Sequence, residues 1–412
     1  MKARDLLRKV GRYANDALDP KASIRAGAKR IGVDLDKSAG VTGSDPQAES
    51  SAPAEASTPA EAVSATQPPS PRSPAFDRYT APGELTSLGV LFMPLAAYHG
   101  RELGAVADAL SDLGHNSTFL VEEDSVEAIN PHLGDHPRIL AANVGFNRSA
   151  IGDFDAFVAM NDWGAPSRAI YHLARVRDVP SFAKVEGVQD FTDVDTGRIR
   201  LPYLAADHVL VQGENDLGSL ERKNLHVVGN ANMERAWNAG PNTAARNGKV
   251  IINSNFTYGV LTDKRQMFLT QAVEGIRAAG LEPVISQHPA DRPLPAPLAE
   301  LVTESSMSDL LPISEAVVTR FSTVPFEAMA YGTPFVYFNP HHEKVPTFAS
   351  PDPSFRHVHN ATDLTDALRH AVEGRATYRD VAESYFRAQI DMTDTASAIR
   401  SAKVIASITY DE

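Results

Sequence analysis

From about Ser87 onward the chain alternates two hydrophobic rhythms. Short unbroken apolar runs, "LGVLFMPL", "STFLVEED", "FDAFVAMN" and "HVLVQG", read as strands buried on both faces, and "NLHVVGN" closes this series near Asn232. Between the first two, "GRELGAVADALSDLGH" returns an apolar residue every three or four positions, which is the period of a helix. The segment "MERAWNAGPNTAARNG" is polar and loose and reads as a hinge. The alternation then restarts: "KVIINSN" strand, "DKRQMFLTQAVEGIRAAG" helix, "EPVISQHP" strand, "AVVTRFS" strand, "VPFEAMAYG" helix and "PFVYFN" strand. Leu364 to Ala406 is mostly helical. This pattern predicts an α/β protein of two doubly wound halves, with a cleft between the carboxyl ends of two parallel sheets, where ligands bind.

The residues before Ser87 have a different character. Residues 1–38 place Leu6, Leu7, Val10 and Leu18 among Arg4, Arg8, Lys9 and Arg12, the pattern of short amphipathic helices. Residues 39–86 are dominated over most of their length by Ala, Ser, Pro, Glu, Thr and Gln, and ordering the 35 or so most biased of them would cost on the order of 35–70 kcal/mol of backbone entropy. That stretch is expected to be a disordered linker. The expected boundaries are therefore 1–38, a basic helical segment; 39–86, linker; 87–235 and 248–385, two Rossmann-like domains; and 386–412, a C-terminal helix.

Composition narrows the function classes. At 412 residues the chain exceeds what one core usually serves. The absence of cysteine excludes disulfides, thiolate metal sites and cysteine nucleophiles. No signal-peptide core or membrane-spanning run is evident, so the expected location is the cytoplasm, at the inner face of the cell membrane if the head binds there. The net charge of −13 divides unevenly: residues 1–38 carry ten Lys/Arg against five Asp/Glu, and the remainder 29 against 47. So acidic a body repels polyphosphate chains, which argues against nucleic acid as a partner.

The stretch "RFSTVPFEAMAYGTPFVYFNP" holds the densest candidate chemistry. Pro325 suits the first turn of a helix, Gly332 its C′ position, and Pro334 blocks continuation. Ser322 and Thr323 then lie in a strand-to-helix turn among unpaired backbone N–H groups, a geometry that receives phosphate. Glu327, one turn on, is placed to accept hydrogen bonds from a ribose diol. The competing reading is that the hydroxyls only cap the helix and Glu327 only complements its dipole.

"STVPFEAMAYGTPFVYF" resembles the signature of the GT-B glycosyltransferases, and Glu327, Gly332 and Pro334 match the E-A-x-x-x-G-x-P spacing. The resemblance implies that Ser322 and Thr323 hold a donor diphosphate and Glu327 a ribose, with the donor in the second domain and the acceptor in the first. In "MPLAAYHGRELGAVADALSDLGH", His99 stands where peptidoglycan N-acetylglucosaminyl transferases and natural-product glycosyltransferases place a general base, although "LAAY" replaces their glycines. "SQHPAD" and "FSTVPFEA" resemble the CDP-glycerol glycerophosphotransferase-like and capsule-synthesis branches, which implies donor-phosphate contact by His288. Arg320 and Phe321 replace the aspartate–tyrosine of those relatives; Arg320 is expected either to face the leaving diphosphate or to pair with Glu315. Ser254, Asn255 and Thr257, in "NSNFTYG", occupy the family's donor-phosphate loop. Glu343, in "PHHEK", falls where relatives recognise the donor sugar, and His342 would meet a phosphate or the acceptor.

These residues add up to an expected metal-independent glycosyltransferase, with no cofactor and no metal site, using a nucleotide-sugar donor and a glycan or lipid-linked acceptor. Asp190 is the reserve base. Residues 1–38 are expected to make peripheral membrane contact or to dock on protein. Glycerophosphate transfer from CDP-glycerol and a catalytically silent nucleotide- or glycan-binding scaffold are the alternatives. A UDP-N-acetylglucosamine 2-epimerase shares the architecture, but its arginine–proline–glutamate start and its histidine–glutamate–alanine–glycine run are missing here.

Overall fold

The computed structural model describes residues 87–140, 153–162, 165–187, 192–193, 198–199, 203–220, 224–241, 246–256, 261–288, 291–348 and 350–411. The expected basic head and linker, Thr257 and Asp190 lie outside them. Two parallel sheets flanked by helices form the body, as the alternation predicts.

The first sheet holds β1 (Gly89–Met93), β2 (Asn116–Val121), β3 (Arg138–Leu140), β4 (Ala156–Ala159), β5 (Ser181–Lys184), β8 (His208–Val211) and β9 (Leu225–Val227). Two short strands, β6 (Thr192–Asp193) and β7 (Arg198–Ile199), pair only with each other. The helices on this half are α1 (Ala97–Asp112), α2 (Ala165–Val176) and α3 (Glu214–Ser219), single turns aside, and α4 (Ala231–Ala239) follows β9. The second sheet holds β10 (Lys249–Ser254), β11 (Glu282–Gln287), β12 (Ala316–Thr319), β13 (Phe335–Phe338) and β14 (Phe355–Val358). With it come α5 (Arg265–Ala278), α6 (Val324–Ala330), α7 (Ala361–Gly374) and α8 (Tyr378–Gln389); α9 (Ser397–Asp411) ends the chain.

Strand order is β3-β2-β1-β4-β5-β8-β9 in the first sheet and β11-β10-β12-β13-β14 in the second. Each order reverses direction once, between β1 and β4 and between β10 and β12. Such switch points open a crevice at the carboxyl ends of the strands. The strands are apolar without alternation because helices cover both faces: Ala156, Phe157, Val158 and Ala159 are all buried.

Two elements depart from the sequence reading. Half of the expected hinge is helix α4. Asn230 caps it through the Met233 N–H at 3.0 Å, and Trp237 stacks on Phe386 of α8 at 4.6 Å. Tertiary partners that a sequence window does not show therefore order a polar segment. The expected C-terminal segment divides as well: α8 packs in the second sheet's core, while Val404, Ile405 and Ala406 of α9 join Leu103 and Val106 of α1 in the first. The chain thus crosses between the sheets twice.

A fully buried ion pair joins these crossings to the first sheet. Lys184 Nζ lies 3.2 Å from Glu102 Oε1, both side chains are 0% exposed, and Lys184 also donates to the Gly229 carbonyl at 2.8 Å. Glu102 accepts the Ala231 and Asn232 N–H groups, each at 2.9 Å, so one carboxylate neutralises a lysine and caps α4. Burial pulls the Lys184 pKa down and Glu102 opposes it. Glu102→Ala is expected to destabilise the protein by about 3–5 kcal/mol, because it leaves an unpaired buried charge. Replacing both members with methionine should cost clearly less. Urea unfolding of the three variants measures the difference.

Candidate functional site

The β12–α6 turn has the conformation its sequence predicts. Thr323 is the N-cap, Val324 and Pro325 begin the helix, and Gly332 follows with φ +65°. The Gly332 N–H reaches the Met329 carbonyl at 2.9 Å and the Thr333 N–H the Ala328 carbonyl at 2.8 Å, a Schellman closure. At the other end Ser322 Oγ accepts the Val324 N–H at 3.2 Å, while Thr323 makes no side-chain cap. The amides of Ser322 and Thr323 and the Thr323 hydroxyl find no hydrogen-bond partner among the described residues. Unpaired donors at a strand-to-helix turn are an arrangement that suits an anion.

Glu327 stands on the same helix, half-buried, without a hydrogen bond or ion pair to any described residue. Burial raises its pKa, and the nearby charge of Arg101 on α1 opposes the rise, so the carboxylate lies within reach of the first half. Directly opposite the turn is Gly187, three residues beyond the end of β5 at Lys184. A Cβ on Gly187 would lie 2.2 Å from the Thr323 hydroxyl, so the two halves meet backbone to side chain here.

Glu186 precedes that glycine, and the sequence reading passed over it inside "KVEGVQDFTDVDTGR". Its carboxylate accepts from the Tyr98 hydroxyl and from Asn161 Nδ2 at 2.6 Å, and it lies 3.6 Å from His99 Nε2. Burial works to raise its pKa, but the contacts with His99, Tyr98 and Asn161 outweigh this and hold it below the usual carboxylate value. All of these groups cluster at the carboxyl ends of β1, β4 and β5, beside the switch point.

The histidine itself is held by the backbone. His99 is buried, and its Nδ1 accepts the Leu95 N–H at 3.1 Å. The proton then belongs on Nε2, which faces Glu186 at 3.6 Å. In this tautomer neither ring nitrogen has a lone pair free.

Three of the residues expected to bind the donor have protein partners. Arg320 does not pair with Glu315: its Nε donates to Glu343 Oε2 at 2.9 Å, a terminal nitrogen reaches the same oxygen, and the other donates to the Asn255 carbonyl at 2.6 Å. Glu343 also accepts the Tyr337 hydroxyl at 2.9 Å and the Phe321 N–H at 3.1 Å, and is 6% exposed. Its oxygens are therefore committed and unavailable to a sugar. Ser254 is fully buried between Arg265 Nε and Asp291 Oδ2, at 3.1 Å each. Asn255 donates to the Phe321 carbonyl at 2.9 Å and so braces the turn. His288 is exposed at the end of β11, and His342 is exposed with φ +56°, its ring 4.9 Å from that of His359. The structure thus brings together Ser322, Thr323 and Glu327 with Glu186 and His99, and holds Ser254, Arg320 and Glu343 beneath the site as support.

No protein-family model and no curated protein matches the chain. Solved structures do. A putative UDP-N-acetylglucosamine 2-epimerase from Listeria monocytogenes aligns with TM-score 0.56 at 10% identity, over 76% of this chain and 94% of that one. A glycosyltransferase from Rickettsia africae aligns with TM-score 0.52 at 14% identity, over 80% and 100%. Another UDP-N-acetylglucosamine 2-epimerase gives TM-score 0.52 at 11%, over 79% and 96%. The chain has the GT-B fold. At such identities the likeness speaks to architecture, and chemistry must be argued from the site.

The Glu343 environment gives a pH test. Burial favours the neutral acid, but His341, Arg320 and the Phe321 N–H pull the pKa down to about 2, against 4.5 ordinarily. The lowered value means stability that is complete above pH 4.5 and lost as pH falls toward 2, on the order of 3 kcal/mol. Wild type and Glu343→Gln should therefore differ most near neutrality and converge across that window, as read by denaturant unfolding at each pH.

Proposed function

We propose that the chain is a metal-independent glycosyltransferase that moves a sugar from a nucleoside-diphosphate donor to a hydroxyl of a cell-surface polysaccharide or glycopolymer. The observation that carries this reading is the β12–α6 turn, with unpartnered amides at Ser322 and Thr323 and the unpaired Glu327 one turn on. The donor diphosphate rests on the turn and the ribose on Glu327. Glu186, held by His99, Tyr98 and Asn161, takes the proton of the acceptor hydroxyl as its oxygen bonds to the anomeric carbon. The bond to the diphosphate breaks, and its electron pair stays on the phosphate oxygen, where preoriented amides stabilise the charge without a divalent cation. The glycerophosphate alternative has only the local resemblance around His288 and "FSTVPFEA" behind it.

UDP-, GDP- and CDP-linked donors should be screened by thermal shift, since a bound ligand raises stability with its concentration over Kd. At least one is expected to bind, and Glu327→Gln should weaken it about tenfold. Binding by none, or indifference to Glu327, overturns the proposal. Glu186→Gln should abolish most turnover while nucleotide affinity persists; intact turnover would remove the carboxylate from the mechanism.

The proposal extends to the basic head, at about 1 kcal/mol for each Lys/Arg near an anionic leaflet. The full chain should co-sediment with phosphatidylserine vesicles at low salt, and a chain lacking residues 1–38 should not. Equal sedimentation of the two ends the membrane assignment.

A further inference from the structure

In an acidic body, most buried arginines meet a carboxylate: Arg265 pairs with Asp291, Arg320 with Glu343 and Arg400 with Asp391. Two exposed arginines on the first-half side do not. Arg101 lies on α1, one turn after Tyr98, and Arg235 lies on α4, one turn after Ala231. The two helices touch between them, where Asn232 Nδ2 donates to the Tyr98 carbonyl at 3.3 Å. Arg235 donates to Asn232 Oδ1 at 3.1 Å, which fixes its guanidinium beside that junction. Neither arginine forms an ion pair with a described residue. The neighbouring acids are already engaged: Glu102 with Lys184, and Glu234 with the Ser397 N–H at 2.8 Å.

Both charges act on the same two side chains. Half-buried His132 has its pKa lowered by burial, then by Arg101 and by Arg235. Tyr331, at the C-terminal end of α6, feels the same two arginines together with Glu327. The Arg101 charge also acts on Glu327, whose carboxylate has no partner among the described residues. Two planar guanidinium forks on touching helices suit the oxygens of a phosphoryl group.

We propose that Arg101 and Arg235 form an anion subsite for a phosphoryl group of a substrate. This assignment rests on the transferase reading for its biological meaning but not for its chemistry. The group belongs either to the donor diphosphate or to a phosphate-bearing acceptor, two sources that binding can separate.

The test is calorimetric titration of the full chain with inorganic phosphate, with and without saturating UDP, for wild type, R101Q, R235Q and the double variant. Wild type is expected to bind phosphate in the millimolar range or better, more weakly as salt rises. The double variant should lose about tenfold or more. A loss that persists in the UDP-saturated protein assigns the subsite to the acceptor. Competition between phosphate and UDP, with a matching loss of UDP affinity in the double variant, assigns it to the donor. Unchanged phosphate affinity in the double variant, or no phosphate binding to wild type, overturns the subsite. Phosphate binding controlled by the arginines in a chain that binds no nucleotide keeps the subsite and removes the transferase reading; UDP binding that needs Glu327, with phosphate indifferent to the arginines, does the reverse. If the double variant melts early, R101K/R235K replaces it: the charge stays, the fork is lost, and an intermediate affinity is expected.

Discussion

One buried carboxylate holds the first half of the site in register. Glu102 neutralises Lys184 and caps α4, and each of its partners carries functional side chains a few residues away. His99 and Tyr98 precede Glu102 on the same helix, Glu186 lies two residues after Lys184, and Asn232 and Arg235 follow the capped amides. A shift of α1 against β5 would unpair a charge that has no access to water. The free-energy penalty for that is large enough to fix the geometry of Glu186 against its two donors, Tyr98 and Asn161, and against the nearby His99 ring. Positioning the site and stabilising the fold are here the same interaction.

The second half uses a similar device for a different end. Glu343 binds Arg320 and the Phe321 N–H, so the last residues before the turn are immobilised by a saturated ion pair. Asn255 adds a bond to the Phe321 carbonyl. With Phe321 held at both its N–H and its carbonyl, the amides that follow at Ser322 and Thr323 are presented without a partner. Preorganisation of this kind stabilises developing charge because no donor has to reorient when the charge appears. Residues that look like ligands in the sequence thus act one layer below the ligand.

This layer marks where sequence reading stops. The two sheets, the β12–α6 turn, Gly332 and the place of Glu327 one turn into α6 were legible, because they follow from local rhythm and turn chemistry. The partners of Arg320, Glu343 and Ser254 were not: each is charged or polar at a motif position, and only the fold decides whether its hydrogen bonds face a ligand or a neighbour. Glu186 was hidden for a related reason. "SFAK" is a short strand with a lysine at its end, and the following acid looks like one of several solvated turn carboxylates. The signal that could have found it is Lys184, a cation at the end of a buried strand, which demands a carboxylate and places the next residues at the crevice. His99 lies in the strand-to-helix junction after β1, as its sequence position implies, but its tautomer depends on the Leu95 N–H, and no spacing rule reveals that.

The width of the gap between the halves follows from a missing atom. Gly187 has no side chain, so the Thr323 hydroxyl approaches the backbone where any Cβ would stand at 2.2 Å. Glu186 is bonded directly to that glycine, and Ser322 directly to that threonine. The contact therefore couples the proposed proton acceptor to the anion-receiving turn through a single peptide on each side. A side chain at position 187 would push apart the groups proposed to act on the acceptor hydroxyl and on the donor diphosphate, even with both halves folded unchanged.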